Sequence, residues 1–279
     1  MTATSWPIAW TVGLACAGAL VAAPGVSTAP PPPPANAPAD YQLGGDYEPP
    51  AGVAVVTRDW FAGAPLVNGY SICYVNAFQT QPDEPEIDRP DETSNWPLAS
   101  VLRRVGDDPN WPGEYLVDIG TAAALAAAAE HVRPMIETCA RKGFAAVEFD
   151  NLDSWTRFDG TDRAREVPFD QADAVVYAAR LTALAHGLGL AAGQKNTPQL
   201  DASTSLDVIG FDFAVVEECG RYDECDAYAR VFGDRMIVVE YTDEGFAAAC
   251  EAIGTSVSVV LRDVELATPD ATGYRYEEC

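Results

Sequence analysis

Short apolar runs of β type alternate along the chain with longer stretches of helical periodicity. Runs at 53–57, 70–76, 115–119, 145–150, 190–195, 211–217, 236–241 and 256–262 are bounded by polar, Gly or Pro residues and predict eight strands. Between them, 122–142 is an Ala-rich helix stopped by Gly143, and 170–187 is a second, with Asp170 as N-cap and Gly187 or Gly189 as its stop. Shorter helices are predicted at 225–232 and 243–253. Strands alternating with helices over about 210 residues predict an α/β fold closed as a single-domain (β/α)8 TIM-type barrel rather than an open doubly wound sheet. A further run at 41–43 offers an extra N-terminal strand. The segment 79–112 breaks the pattern, being rich in Pro, Asp, Glu and Trp with helical character only at 98–105. In a barrel, a long loop after a strand lies over the C-terminal face, where such loops shape substrate sites.

Charge divides the chain sharply. The first charged side chain is Asp40, so all 42 acidic and 17 basic residues lie from there to Cys279. Residues 1–23 hold an apolar run from Trp6 to Ala23 that suits an export signal or a retained membrane anchor. Lipid attachment at Cys16 is a third route. Residues 24–39 are a Pro/Ala-rich linker whose proline run favours extended polyproline structure. The barrel domain is expected at 40–279, in a secreted protein unless the first segment is retained or lipidated, which would be its membrane contact. The six remaining cysteines, Cys73, Cys139, Cys219, Cys225, Cys250 and Cys279, read as disulfides in an oxidising compartment. Cys219 with Cys225 is the expected local loop, and Cys250 with Cys279 the expected C-terminal tie. A net charge of −25 excludes binding to a phosphate backbone. It suits a neutral or cationic partner, or simply a well-solvated surface.

Candidate chemistry sits where the predicted strands stop. Those ends carry Asn76 with Gln79, Asp118, Asp150 with Asn151 and Asp153, Gln194 with Lys195 and Asn196, Glu217 with Glu218, Glu240 with Tyr241, and Arg262 with Asp263. Carboxylates, amides and a lysine aimed at one face are costly to desolvate without a role. Sugar hydrolysis fits this inventory, because it needs two carboxylates and hydroxyl-binding groups but no metal or cofactor. A serine hydrolase would need a histidine base, yet His131 and His186 both fall within helices. No Cys-x-x-Cys and only two histidines speak against a metal site, and no Gly-rich phosphate loop follows a strand. Tyr47, Trp60, Tyr74, Trp96, Trp111, Trp155 and Tyr222 lie near loops, where rings either stack on sugars or pack loop bases. Glu148 shares a strand face with Asp150 and competes with it for a catalytic role.

The motifs at 41–47, 110–114, 147–153, 193–196, 211–219 and 240–243 together resemble the endo-α-1,4-polygalactosaminidase family, TIM-barrel hydrolases acting on galactosamine-containing polysaccharides. The resemblance runs from Tyr41 to Cys279. It implies cleavage of α-1,4 bonds, with Asp150 and Glu217 as the catalytic carboxylates. Phe149 stands where the family usually has proline, and Val216 replaces a small or polar residue, two departures expected to alter subsite shape. Counted from 53–57, Asp150 ends the fourth strand and Glu217 the sixth, which resembles α-galactosidase-like retaining barrels. That placement implies Asp150 as nucleophile and Glu217 as acid/base. Lys195 is expected to keep Asp150 ionised, and Val216 to keep Glu217 protonated by desolvation. Asp46, Tyr74, Asn76, Asp118, Asn151, Asp153, Gln194, Lys195, Glu240 and Tyr241 are the candidate substrate-binding residues. A monomer acting on polysaccharide is expected, with no metal, cofactor or nucleic acid. The competing readings are a non-catalytic carbohydrate-binding barrel and a hydrolase of another α-linked polymer.

Overall fold

The computed structural model describes residues 1–2, 30–82 and 96–279. The apolar run at 6–23 and part of the 79–112 loop lie outside them. Eight parallel strands follow one another in chain order: β1 (Ala39–Gln42), β2 (Val55–Asp59), β3 (Tyr70–Asn76), β4 (Ala146–Asp150), β5 (Ala191–Lys195), β6 (Phe213–Glu217), β7 (Met236–Glu240) and β8 (Ser258–Arg262). A ninth, β9 (Tyr276–Glu278), runs antiparallel along β8. The seam between β8 and β1 is tied by side chains. Arg262 Nη1 donates to Asp40 Oδ1 at 2.6 Å and to the Tyr41 carbonyl, and Ser258 Oγ donates to the Ala37 carbonyl at 2.6 Å. Arg262 and Asp40 are both buried, so the polar end of β8 serves closure of the barrel.

Two strand expectations change. The run at 115–119 is not a barrel strand: Gln79, Val101 and Asp107 form isolated antiparallel bridges with Leu116, Val117 and Tyr115, folding the loop onto itself. A parallel neighbour needs a crossover connection, usually helical. Among the described residues, the β3-to-115 segment offers only one 3-10 turn, Leu98–Ser100, in place of the helix expected at 98–105. The segment at 39–42 fills the vacant place as β1. These two changes cancel, so Asp150 still ends the fourth strand and Glu217 the sixth.

The main helices begin and end where their caps dictate. Helix α1 (Ala122–Lys142) starts at Thr121, whose side chain accepts the Ala124 N–H, and stops at Gly143 in the left-handed region, φ 93°. Helix α2 (Gln171–Gly187) opens on a reciprocal capping box between Asp170 and Asp173. Helices α3 (Cys219–Tyr222), α4 (Cys225–Phe232) and α5 (Asp243–Ile253) follow β6 and β7.

Strand alternation sorts side chains into two cores. Tyr41, Val55, Ile72, Tyr74, Ala146, Phe213, Val215 and Val239 fill the barrel, while Val147, Phe149, Ala214, Val216 and Val238 pack beneath the helices. Gly193 leaves room for the Phe213 ring, which a Cβ there would meet at 2.6 Å. Disulfides join Cys219 to Cys225 and Cys250 to Cys279, the two expected pairs, and Cys73 of β3 to Cys139 of α1. No helix among the described residues is long and apolar enough to cross a membrane.

Candidate active site

At the C-terminal ends of β4, β5 and β6 the inward-facing positions are Asp150, Lys195 and Glu217. Each is followed by a residue with positive φ: Asn151 at 60°, Asn196 at 45° and Glu218 at 57°. This left-handed turn, which asparagine tolerates well, bends the chain away and leaves the last strand side chain pointing into the barrel mouth. Lys195 is buried, and its Nζ lies 3.2 Å from Asp150 Oδ1 and 3.3 Å from Glu217 Oε2. The same ammonium donates to the Tyr41 hydroxyl at 2.9 Å and lies 3.8 Å from Glu148 Oε1.

Each carboxylate has its own further donors. Tyr74 OH donates to Asp150 Oδ2 at 2.7 Å, and the Asn151 N–H donates to Oδ1 at 2.8 Å. Tyr241 OH donates to Glu217 Oε1 at 2.5 Å, and Asn196 Nδ2 to Oε2 at 3.0 Å. Burial works against charge on Asp150, but Lys195, Tyr74 and Asn151 outweigh it and hold its carboxyl below the usual range. Lys195 itself is held well above the ordinary lysine range, because Asp150, Glu217 and Glu148 overcome its burial. Burial and neighbouring carboxylates also raise Tyr41, Tyr74 and Tyr241, which keeps all three as donors.

Glu148 lies below this layer. Burial pushes its carboxyl up to about 7 against the pull of Lys195 and of Tyr41, whose hydroxyl donates to it at 2.5 Å. It is fully buried, whereas the Asp150 side chain keeps 17% of its exposure and Glu217 24%. Only the latter two reach the cleft.

That cleft, about 370 Å³, is lined by Tyr74, Asp150, Asn151, Asp153, Lys195, Glu217 and Tyr241 from the sequence-derived set. It also takes in Trp111 and Asn196, which the sequence places near a loop and at a strand end, and Asp59, Gln81, Glu114 and Arg157, to which it gives no role. A second depression shares Trp111, Asp153, Asn196 and Glu217 and continues past Glu218 to Tyr222. The other candidates lie elsewhere. Gln194 and Glu240 occupy outward positions on their strands: Gln194 bonds the carbonyls of Asn196 and Thr197 and accepts from Ser205, and Glu240 accepts the Gly220 N–H at 2.6 Å. Asp46 accepts the Ala64 N–H, and Asp118 accepts that of Gly120. Asn76 is buried behind the wall, linking Glu114 to Asn151. Phe149 and Val216 both face the helices, so neither shapes a subsite nor surrounds the Glu217 carboxylate. Among the quoted aromatics, Tyr74, Trp111 and Tyr222 line the two depressions, while Trp96 is buried against His131 and Tyr47 packs on Tyr274.

Among the described residues, one grouping has metal-ligand character: Cys219, Cys225 and Glu240. The two cysteines are joined as a disulfide and offer no thiolate.

A (β/α)8 barrel whose mouth holds a carboxylate pair in a polar, partly open cleft is a glycoside hydrolase in class. The sequence model of glycoside-hydrolase family GH114 matches residues 21–279, and the chain belongs to that family. The fold is similar to that of Aspergillus fumigatus Ega3, solved in complex with galactosamine, with a TM-score of 0.72 and 22% identity over 90% of this chain and 98% of that one. It is also similar to the glycoside hydrolase domain of PelA from Pseudomonas aeruginosa, with a TM-score of 0.54 and 14% identity over 85% and 97% of the respective chains. No curated protein sequence matches the chain.

Proposed function

We propose that this chain is a secreted, retaining glycoside hydrolase that cleaves α-1,4 linkages in galactosamine-containing polysaccharide, with Asp150 as nucleophile and Glu217 as acid/base. The carrying observation is the Lys195 ammonium shared by two carboxylates at the ends of β4 and β6. Both contacts being to one nitrogen, at 3.2 and 3.3 Å, Asp150 Oδ1 and Glu217 Oε2 lie no more than about 6.5 Å apart. That spacing favours retention, for which about 5–5.5 Å is usual, over inversion at about 6.5–9.5 Å. Asp150 is the better nucleophile because its environment favours the ionised form.

In the first step an Asp150 oxygen bonds to the anomeric carbon as the glycosidic C–O bond breaks, and Glu217 gives its proton to the departing oxygen. In the second, water attacks the anomeric carbon, Glu217 takes its proton, and Asp150 leaves as carboxylate. Tyr74 and Tyr241 hold the pair in place, while Asn151, Asp153 and Asn196 offer hydrogen bonds to substrate hydroxyls. The 46% exposed Trp111 gives a face for stacking on a sugar ring. The galactosamine in the Ega3 complex supports the substrate class, and the continuing depression towards Tyr222 supports a polymer. Three disulfides support an oxidising compartment.

The test is reducing-end release from α-1,4-galactosamine-rich polymer by wild type, Asp150→Asn and Glu217→Gln. Wild type should release ends and both variants should be reduced by at least about 100-fold. No release by wild type from galactosamine or galactose polymers would overturn the reading and favour a carbohydrate-binding barrel.

A further inference from the structure

Glu114 is a carboxyl of the cleft that the hydrolytic pair does not use and that forms no salt bridge among the described residues. Among the described residues, Asp150 and Glu217 share Lys195, while Asp153 and Asp108 share Arg157 at 3.7 and 3.1 Å. Glu114 lines the same cleft, yet among the described residues the one hydrogen bond to its carboxyl is from the neutral Asn76 amide, at 3.2 Å to Oε2. Its backbone is fixed: the Glu114 N–H donates to the Trp111 carbonyl at 3.1 Å and its carbonyl accepts the Asp108 N–H at 2.8 Å. The side chain is therefore held on the Asp150 side of the cleft by Asn76, which also accepts from Asn151, the neighbour of Asp150.

We propose that Glu114 is the specificity-determining residue for the sugar's amino group, receiving the ammonium on C2 of the ring that Asp150 attacks. The inference rests on the Asp150 assignment and the galactosamine reading above. In a 2-amino sugar the nitrogen is bonded to the carbon next to the anomeric one, so it must lie close to the nucleophile. Lys195 already places a cation under Asp150, and a second cation there needs a carboxylate of its own to be tolerated. Glu114 supplies it with an oxygen, Oε1, that carries no hydrogen bond within the described residues.

The charged and titratable groups facing Glu114 come from several elements: Asp150 of β4, the neutral Tyr74 of β3, Asp108 of its own loop and Arg157 beyond β4. Burial pushes Glu114 up to about 8, with Asp150 and Asp108 adding to the rise against Asn76 and Arg157. Below that pH the empty cleft holds Glu114 as the neutral acid. An arriving ammonium displaces the proton, so binding of a cationic sugar releases close to one proton per site. A neutral sugar releases none.

Calorimetric titration of the full chain with galactosamine and with galactose, at pH 6.5 in two buffers of different ionisation enthalpy, reads this directly. Wild type should release a proton with galactosamine only and prefer it by about 10- to 100-fold, the worth of a charge-assisted bond. Glu114→Gln should lose both the release and the preference, while Glu114→Asp should keep the release with weaker binding. Absence of proton release by wild type that binds galactosamine overturns the inference even if the variants do not fold. So does an unchanged preference in folded Glu114→Gln. If wild type cleaves galactosamine polymer but shows either result, the inference alone fails; if it neither cleaves that polymer nor binds galactosamine, the functional reading fails with it.

Discussion

Replacing Lys195 with methionine keeps the length of the side chain and removes its charge. The ammonium is buried and touches Asp150 at 3.2 Å, Glu217 at 3.3 Å and the Tyr41 hydroxyl at 2.9 Å. Deleting one partner of a buried charge cluster costs about 3–5 kcal/mol, because the remaining charges lose their compensation. For a domain of this size that corresponds to a fall in Tm of roughly 6–20 °C. Asp150 is the group whose titration changes most. In wild type its lowered carboxyl contributes stability that is present above the unfolded-state value, near 4, and is lost as pH falls through the lower folded value. Without Lys195 burial is opposed only by Tyr74 and Asn151, so this contribution shrinks and the acid limb of kcat/KM moves to higher pH. Activity at neutral pH should drop about 150- to 5,000-fold, the same free energy read as a barrier. The assay is kcat/KM from pH 3 to 9 for wild type and Lys195→Met, with Tm across the same range. An acid limb that stays in place, with a rate within about threefold of wild type, would refute the role given to the lysine.

Other consequences follow from single contacts. Tyr241→Phe removes the donor to Glu217 Oε1 and should lower kcat about tenfold or more with little change in Tm, measured by steady-state kinetics and thermal unfolding. Gly193→Ala drives a methyl into the Phe213 ring and should cost about 1–3 kcal/mol in denaturant unfolding. Arg262→Met leaves buried Asp40 without its cation at the barrel seam and should destabilise by about 3–5 kcal/mol, again read by denaturant unfolding. Glu148, pushed up to about 7 by burial, contributes stability that is full below the unfolded value near 4.3 and is lost as pH rises through about 7. Glu148→Gln should therefore flatten the decline in Tm between about pH 4.3 and 7.

The pattern of apolar runs made the barrel legible, but it misplaced one strand. Residues 115–119 have the composition of a strand but, among the described residues, are preceded by no helical crossover that would let them join a parallel sheet, while the run at 41–43 was short enough to look optional. Within the site, side-chain alternation was the available signal. Applied to 146–150 it correctly put Glu148 on the Asp150 face. Applied equally to 191–195 and 236–240, it would have sent Gln194 and Glu240 outward, away from the cleft, and left Lys195 and Tyr241 inside. It also explains why Phe149 and Val216 bear on helix packing rather than on sugar binding. Glu114 and Arg157 carried no such signal, because they sit in loops whose path is set by bridges and hydrogen bonds between residues far apart in sequence.

The division of labour between Asp150 and Glu217 is tested most directly by azide rescue on an activated aryl α-galactosaminide. Azide attacking a glycosylated Asp150 in Glu217→Ala should yield the α-azide, with configuration retained. Azide filling the space left in Asp150→Ala should attack the substrate directly and yield the β-azide. The opposite pairing of variants and products in proton NMR would contradict the assignment of Asp150 as the nucleophile.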